Sequence, residues 1–261
     1  MAEKKEMTLA SLYSSFIWKM RPSTKIVGRE YETEQLMELL CKKRMRNLIL
    51  IGYPGVGKTE LVRHIASLAK DCVFYEWNVT ASLTETEYRG QFEGKITRML
   101  KRAKEESKKT GKTVILFVDE CHMIFGAGQS RDEKLDLSNI LKSYLSNSDV
   151  VVWGATTIDE YNQVVKKDGA FRRRFTTLVL KEMGGDQIKK IVKNFSEEKL
   201  NGSEIDDIFR LSNGIEWMHQ PDAAIELADR CMAHKEYAGI DCLTTDEIGK
   251  IANTMDNAEI E

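Results

Sequence analysis

The chain has 261 residues, a formal net charge of −2 and 42% apolar residues. This length and apolar content are enough for one large hydrophobic core with a smaller domain appended, and the near-neutral charge argues against a general attraction to nucleic acid or to an anionic membrane. The five cysteines form no Cys-x-x-Cys pair and no apolar run is long enough for a membrane span, so we expect reduced thiols, a cytoplasmic location and no membrane partner.

Residues 1–24 predict a short amphipathic arm. Leu9, Leu12, Phe16 and Ile17 fall on one side of it, and the serines among them dilute the apolar stretch too much for a secretory signal peptide. We expect the arm either to cover the following domain or to dock a partner.

Helix and strand patterns alternate through residues 25–183. Continuous apolar runs predict buried parallel strands, and apolar residues at helical spacing predict the helices between them. The expected helices are 30–46, 58–70, 92–103 and 135–145, and the expected strands are 47–51, 72–78, 113–118, 150–153 and 176–180. The expected fold class is therefore α/β, a parallel sheet with helices on both faces.

The strands stop at Gly184-Gly185, which marks a boundary. Residues 184–261 predict a small all-α domain, in which Pro221 suits the first turn of its helix. The helices of this domain are expected at 186–195, 205–211, 221–234 and 245–255.

A phosphate-binding motif follows the first buried strand. The segment Gly52–Thr59 matches the pattern GxxxxGK[ST] between a predicted strand and a predicted helix. Its glycines let backbone N–H groups point at phosphate oxygens, and the helix N-terminus adds a favourable dipole. We expect Lys58 to contact the β- and γ-phosphates of ATP and Thr59 to ligate Mg²⁺. The other residues expected to bind nucleotide are Gly52, Pro54, Gly55, Val56 and Gly57.

Two acids, Asp119 and Glu120, end the apolar strand 113–118 at the edge of the sheet where open α/β folds bind ligands. Adjacent acids are often a solvated turn, but their place after a buried strand and downstream of the phosphate motif favours a function. We expect Asp119 to hold Mg²⁺ and Glu120 to polarise the attacking water.

Two polar segments follow later in the same domain. At Thr156 and Thr157 a hydroxyl can sense the γ-phosphate, orient water or cap the next helix. The run Arg172-Arg173-Arg174 would ordinarily be a solvated or nucleic-acid-facing patch. Its place before the last strand suggests instead arginine fingers that act on the ATP of a neighbouring subunit.

The order of these motifs resembles the first ATPase module of the Clp-type AAA+ unfoldases and disaggregases, over residues 26–231. The matching segments are Val27–Glu30, Gly52–Thr59, Tyr88–Glu93, Ile115–Glu120, Gly126–Gly128, Gly154–Tyr161, Arg173–Phe175 and Pro221–Ile225. The resemblance implies a P-loop NTPase sheet, the AAA+ large domain, followed by a helical lid domain. It also implies a homo-oligomeric ring, commonly a hexamer.

The resemblance assigns further roles that the residues alone leave open. From the residues alone, packing within its own loop and a function are equally good interpretations of Tyr88. The family carries a basic nucleotide sensor at the position where this chain has Ala223. The roles implied are the adenine side for Ile26 and Val27, the γ-phosphate sensor for Thr156, fingers across the subunit interface for Arg173 and Arg174, and a substrate-gripping pore loop for Tyr88, Arg89 and Gly90.

The leading hypothesis is an ATP- and Mg²⁺-dependent ring ATPase that remodels or unfolds a protein substrate through a central pore. The alternative is an ATP-switched assembly or adaptor factor, such as a DNA-associated loader, that positions a dedicated protein partner without threading it. Nucleic acid is not favoured, because the basic cluster of residues 101–112 is interleaved with Glu105 and Glu106, as on a solvated helix end. A nearly inert subunit of a mixed ring is disfavoured by the intact Lys58, Asp119 and Glu120.

Overall fold

The computed structural model describes residues 8–24, 26–84, 89–126, 137–145, 150–163 and 165–256. Within these ranges only the backbone is described at Leu83, Thr84, Arg89, Gly90, Phe125, Gly126, Ser138, Asn139, Ser143, Phe171 and Asp256. The described residues fall into two compact units. The sheet unit comprises Met1–Ile26, Tyr31–Ile51 and Thr59–Val179, and the helical unit comprises Val27–Glu30, Gly52–Lys58 and Leu180–Glu261.

A six-stranded sheet forms the sheet unit. Its strands are β1 (Ile17–Lys19), β2 (Asn47–Ile51), β3 (Cys72–Trp77), β4 (Thr113–Val118), β5 (Val150–Thr156) and β6 (Phe175–Val179). Their order across the sheet is β1-β3-β4-β5-β2-β6, with β1 antiparallel to β3 and the other neighbouring strands parallel. Every residue of the central strands β2 and β5 is buried, which explains why continuous apolar runs encode them. The predicted α/β fold is confirmed.

Helices flank this sheet, and their buried stripes complete its core. Up to β6 they are α1 (Leu9–Leu12), α2 (Glu30–Cys41), α3 (Lys58–Leu68), α4 (Val79–Thr84), α5 (Arg89–Thr110), α6 (Met123–Gly126), α7 (Leu137–Leu145), α8 (Ile158–Gln163) and α9 (Gly169–Arg172), with a 3₁₀ turn at Val165–Lys167. On α5 the predicted apolar stripe is fully buried, including Phe92, Ile96 and Leu100.

Two element bounds differ from the sequence-based expectation for identifiable reasons. Helix α2 ends at Cys41 instead of residue 46, and Met45 has a φ of 57°, a left-handed conformation that a right-handed helix does not contain. Strand β5 continues to Thr156 because its last residues pair with β2, where Ala155 lies opposite Leu50. Small residues carry little strand propensity of their own, so sequence alone ends this strand too early.

The N-terminal segment belongs to the core of the sheet unit. Leu9, Phe16 and Ile17 are buried there, whereas Leu12 is 40% exposed, so the predicted single apolar side is wrong for Leu12. The backbone N–H of Leu9 donates to Glu106 Oε2 at 2.6 Å. Strand β1 was not predicted, because three residues are too few for an alternating pattern to show.

Four helices build the helical unit after β6. They are α10 (Gly185–Ser196), α11 (Gly202–Ser212), α12 (Asp222–Ala238) and α13 (Thr245–Asp256), in agreement with the predicted all-α character. Pro221 is the residue before α12 and not within its first turn. The domain limits of 1–24, 25–183 and 184–261 remain a prediction. Across the described ranges, no helix has both the length and the apolar character needed to span a bilayer.

A buried carboxylate, Glu204, fastens the helical unit together. Glu204 is 1% exposed and pairs with Lys235 Nζ at 3.0 Å, which links α11 to α12. Its carboxylate also accepts the backbone N–H groups of Asn201 at 2.7 Å and Leu243 at 2.8 Å. The charge of Glu204 is therefore balanced by one ammonium group and two backbone donors.

Replacing Glu204 by Ala is expected to lower the free energy of unfolding by about 3–5 kcal/mol, because it leaves the largely buried Lys235 without its carboxylate. Urea denaturation followed by circular dichroism measures the change. Glu226→Ala is the matched control, since Glu226 forms an exposed pair with Arg230 and its loss is expected to cost under about 1 kcal/mol. Equal losses from the two variants would show that the Glu204 network contributes nothing special.

Candidate functional site

The loop of the phosphate motif lies in the helical unit, between β2 and α3 in the chain. Gly55 and Gly57 have φ values of 75° and 92°, a region that glycine occupies without strain. A Cβ atom added at Gly55 would lie 2.5 Å from the Cβ of Asp222, while one at Gly57 would meet nothing within 4 Å. The backbone at Gly57 thus faces open space, as a loop that wraps a phosphate group requires.

Lys58 begins α3 and its ammonium group turns back onto the loop. Nζ donates to the carbonyl oxygens of Gly52 and Tyr53, each at 2.9 Å. These bonds hold the ammonium group against the loop, whose backbone faces open space at Gly57. The residues of the motif therefore fit the phosphates of a nucleotide.

A buried arginine, Arg29, hydrogen bonds to the backbone of the same loop. Arg29 is 4% exposed, and its Nη2 donates to the carbonyl of Val56 at 2.9 Å and to that of Lys181 at 2.8 Å. The predicted adenine-side residues, Ile26 and Val27, are half-buried and directly precede this segment. Arg29 lies in the matching segment Val27–Glu30, but its burial and its hydrogen bonds were not predicted, because an arginine after a glycine carries no sign of burial.

Three side chains distant in sequence meet beside the loop within the helical unit. The rings of Tyr53 and His219 stack with centroids 4.1 Å apart, and His219 Nδ1 lies 2.7 Å from Glu182 Oε1. At the start of α12, burial and the nearby charge of Glu226 raise the pKa of Asp222 above its ordinary value. The contacts among Tyr53, Glu182 and His219 were not predicted, since no local motif connects these three positions.

The sheet unit brings the predicted metal ligands together. Thr59 Oγ1 donates to Asp119 Oδ2 at 2.7 Å, although the two residues are 60 positions apart. Both line a cavity of about 350 Å³ together with Glu120, Arg63 and Glu76. A hydroxyl and a carboxylate beside open volume fit Mg²⁺, which takes few protein oxygens and keeps several waters.

Glu120 follows Asp119 in an unusual backbone conformation. Its φ is 53°, in the left-handed region that costs a non-glycine residue roughly 1–2 kcal/mol. Its N–H donates to Asp119 Oδ1 at 3.1 Å, and its side chain is exposed at the wall of the cavity. Strain of this kind tends to persist at functional sites.

Of the two threonines that follow the apolar part of β5, Thr157 takes the capping role. Thr156 ends β5, is 2% exposed, and its hydroxyl donates to Glu160 Oε2 at 2.9 Å. Thr157 and Glu160 form a capping box at the start of α8: the Thr157 N–H donates to Glu160 Oε2 at 2.9 Å, and the Glu160 N–H donates to the Thr157 hydroxyl at 3.3 Å.

The carboxylate of Glu160 is the centre of this small network. Burial acts to raise the pKa of Glu160, but the hydrogen bonds from Thr157 and Thr156 and the charge of His122 outweigh burial and leave the pKa below its ordinary value. His122 Nδ1 lies 3.1 Å from Glu160 Oε2, a charge contact with poor alignment for a hydrogen bond. Sequence reasoning missed Glu160, although the spacing Thr-x-x-Glu is a recognisable cap signal.

The remaining predicted residues lie apart from these groups or outside the described ranges. Arg173 is exposed after α9, and Arg174 is half-buried with its guanidinium donating to the carbonyl of Ala170. Tyr88 lies outside the described residues, and for Arg89 and Gly90 the structure describes only the backbone at the start of α5. Roles for these five residues stay predictions.

Comparison with known proteins supports a nucleotide site independently of this geometry. Residues 48–183 match the model of the ATPase family associated with various cellular activities (AAA). The chain is 33% identical over 227 residues to the chaperone protein ClpB of Malacoplasma penetrans, an alignment that covers 80% of this chain and 32% of ClpB. The chain thus spans about a third of the length of that relative.

Solved structures give the same result. The S. cerevisiae Hsp104–ADP complex superposes with a TM-score of 0.76 at 26% identity, covering 95% of this chain and 46% of the Hsp104 chain. The S. cerevisiae Hsp104–casein complex in an extended conformation has the same TM-score and identity and covers 94% of this chain and 45% of that one.

Proposed function

The chain belongs to the AAA family of ATPases, and from this premise we propose that it works as a homo-oligomeric ring, a hexamer, that unfolds or remodels a protein substrate. The observation that carries the proposal is the Thr59–Asp119 contact at 2.7 Å beside Glu120, which brings together residues that we assign to ATP hydrolysis. The similarity to ClpB and to Hsp104 in complex with casein supports a polypeptide as the substrate.

Nucleotide binding is assigned to two groups of residues. We assign the phosphates to the backbone of Gly52–Gly57 and to Lys58, and the adenine side to Ile26 and Val27. Thr59 and Asp119 would hold Mg²⁺, which when bound neutralises charge on the β- and γ-phosphates.

Hydrolysis needs a water aligned with the γ-phosphorus. The water oxygen forms a bond to the γ-phosphorus while the bond from that phosphorus to the β–γ bridging oxygen breaks. The water proton passes towards Glu120, and ADP and inorganic phosphate leave. In a ring, Arg173 and Arg174 of one subunit would stabilise the charge that develops on the phosphate in the next subunit.

A cytoplasmic location is part of the same proposal. All five cysteines are free thiols, and burial raises the pKa of Cys231 to about 12, so that this thiol resists oxidation. Such cysteine usage is typical of a reducing compartment.

Replacing Tyr88 by Ala is expected to abolish ATP-dependent unfolding of a protein substrate while leaving ATP turnover within about twofold of the parent. An aromatic ring grips many sequences through apolar contact, and no other predicted pore-loop residue offers one. A folded protein that loses its own fluorescence when it unfolds is a suitable first substrate, and sedimentation velocity reports ring assembly.

Tyr237→Ala is the matched control, because Tyr237 is 92% exposed on α12 and has no assigned role. Unfolding by the Tyr237 variant should match the parent. If the Tyr88 variant also unfolds that folded substrate at the parental rate, threading is wrong, and an ATP-switched adaptor that does not thread its partner becomes the better assignment.

A further inference from the structure

One oxygen of Glu160 receives more than a helix cap requires. Glu160 Oε2 accepts the Thr157 N–H, as in an ordinary capping box, and also the Thr156 hydroxyl, each at 2.9 Å. The Thr156 bond plays no part in capping, since Thr156 lies before the cap residue and within β5. Besides capping α8, the Glu160 carboxylate therefore holds the hydroxyl group of Thr156 in a hydrogen bond.

That bond fixes the direction in which Thr156 can hydrogen bond. A threonine hydroxyl has one proton and two lone pairs, and here the proton is directed at a carboxylate. Thr156 is 2% exposed, so bulk water does not compete for this proton. With the proton so occupied, Thr156 presents only lone pairs to any further partner. A γ-phosphate oxygen needs a donor, whereas an attacking water needs an acceptor.

Thr156 is also held next to the turn that carries Glu120. The N–H of Cys121, one residue after Glu120, donates to the carbonyl of Ala155, one residue before Thr156, at 2.8 Å. Gly154 makes this close approach possible, because a Cβ atom there would lie only 2.7 Å from Cys121 Sγ. Each of the two functional residues is thus one position away from a direct contact between β5 and the turn after β4.

We propose that Glu160 is a positioning residue for ATP hydrolysis: by taking the Thr156 proton, it makes Thr156 an acceptor that orients the attacking water, and not a donor that senses the γ-phosphate. Water would then donate one hydrogen bond to Glu120 and one to Thr156. This inference rests on the ATP site assigned under the proposed function and is independent of whether the ring threads a polypeptide.

Glu160→Ala is expected to lower kcat about tenfold, the size of one oriented hydrogen bond, and to leave the affinities for ADP and ATPγS in their parental ratio. Thr156→Val should have the same effect, and the double variant should be no slower than Thr156→Val alone. Glu160→Gln should retain most turnover, because the amide oxygen still accepts the Thr156 proton. Isothermal titration calorimetry measures the two affinities, and phosphate release measures kcat.

The matched control is Thr157→Ala, which removes the side-chain half of the capping box and leaves the Thr156–Glu160 bond in place. Its kcat should stay within about twofold of the parent, even though its melting temperature falls with that of Glu160→Ala. If Thr157→Ala loses as much turnover as Glu160→Ala, helix capping explains the effect. If Thr156→Val weakens ATPγS binding severalfold and not ADP binding, Thr156 is a phosphate donor. Either result overturns the proposal.

Failure of the inference is separable from failure of the site it rests on. Lys58→Ala should weaken binding of both nucleotides, since Lys58 is assigned to the phosphates. Unchanged binding in that variant would mean that the ATP site is misassigned. Weakened binding in Lys58→Ala with parental kcat in Glu160→Ala would leave the site intact and reject only the role of Glu160.

Discussion

Replacing Glu120 by Gln is expected to lower ATP turnover by ~10²–10⁴ while ATP binding stays near the parental affinity. Glutamine keeps the size and polarity of the side chain but cannot accept a proton from water. Glu120 lines the cavity beside Thr59 and Asp119 without taking part in their hydrogen bond, so its replacement should not disturb the magnesium ligands. Single-turnover phosphate release and a fluorescent nucleotide titration measure the two quantities separately.

Lys58→Ala should give the opposite pattern. Loss of a charged donor to phosphate is expected to weaken ATP binding by about 1.5–3 kcal/mol, which is roughly 10- to 150-fold. Both variants should fold, because Glu120 is exposed and Lys58 lies at the first turn of α3. Parental turnover in the Glu120 variant would mean that another group accepts the proton of the attacking water.

Replacing Arg173 and Arg174 together by Ala is expected to lower ATP turnover by about 10²–10³ without loss of ATP binding. Finger arginines contribute ~10³–10⁵ in related GTPases, and we expect the lower end or less because two arginines share the task. Turnover per subunit in the parent should rise with protein concentration as rings assemble, and this rise should be absent from the double variant.

Arg172→Ala serves as the control for removal of a basic residue from the same run. Arg172 is exposed at the end of α9, and its replacement should leave both turnover and its concentration dependence unchanged. Specific activity that stays constant down to concentrations at which sedimentation shows monomers would argue that the site is complete within one chain.

The central part of the fold could be predicted because buried strands are encoded by continuous runs of apolar residues. Strands β2 and β4 are continuous apolar runs, and the observed bounds of both match the expected 47–51 and 113–118. The edge strand β1 is not encoded by such a run, since its residues Trp18 and Lys19 are exposed and only Ile17 is buried. Short elements at the edge of a sheet depend on tertiary contacts that local pattern does not record.

The candidate site shows the same division between local and long-range information. Lys58, Asp119 and Glu120 were predicted because they lie in motifs whose adjacent residues indicate the local backbone conformation. The contacts of Arg29 and Glu160 were not predicted. Each side chain bonds to a residue that no sequence motif links to it, Val56 for Arg29 and Thr156 for Glu160. The contact of Tyr53 with His219 joins positions 166 residues apart and has no counterpart in any local pattern.

The left-handed backbone of Glu120 bears on how this protein changes over evolutionary time. Glycine or asparagine would adopt a φ of 53° at a lower cost in free energy than glutamate, so the backbone alone disfavours the residue to which we assign turnover. On the role proposed for Glu120, selection for hydrolysis would keep glutamate at this position. In a descendant that binds nucleotide without hydrolysing it, replacement of Glu120 by glycine or asparagine would relieve the backbone strain and stabilise the fold. A glycine or asparagine there would then mark a lineage that has given up catalysis while keeping a sound fold.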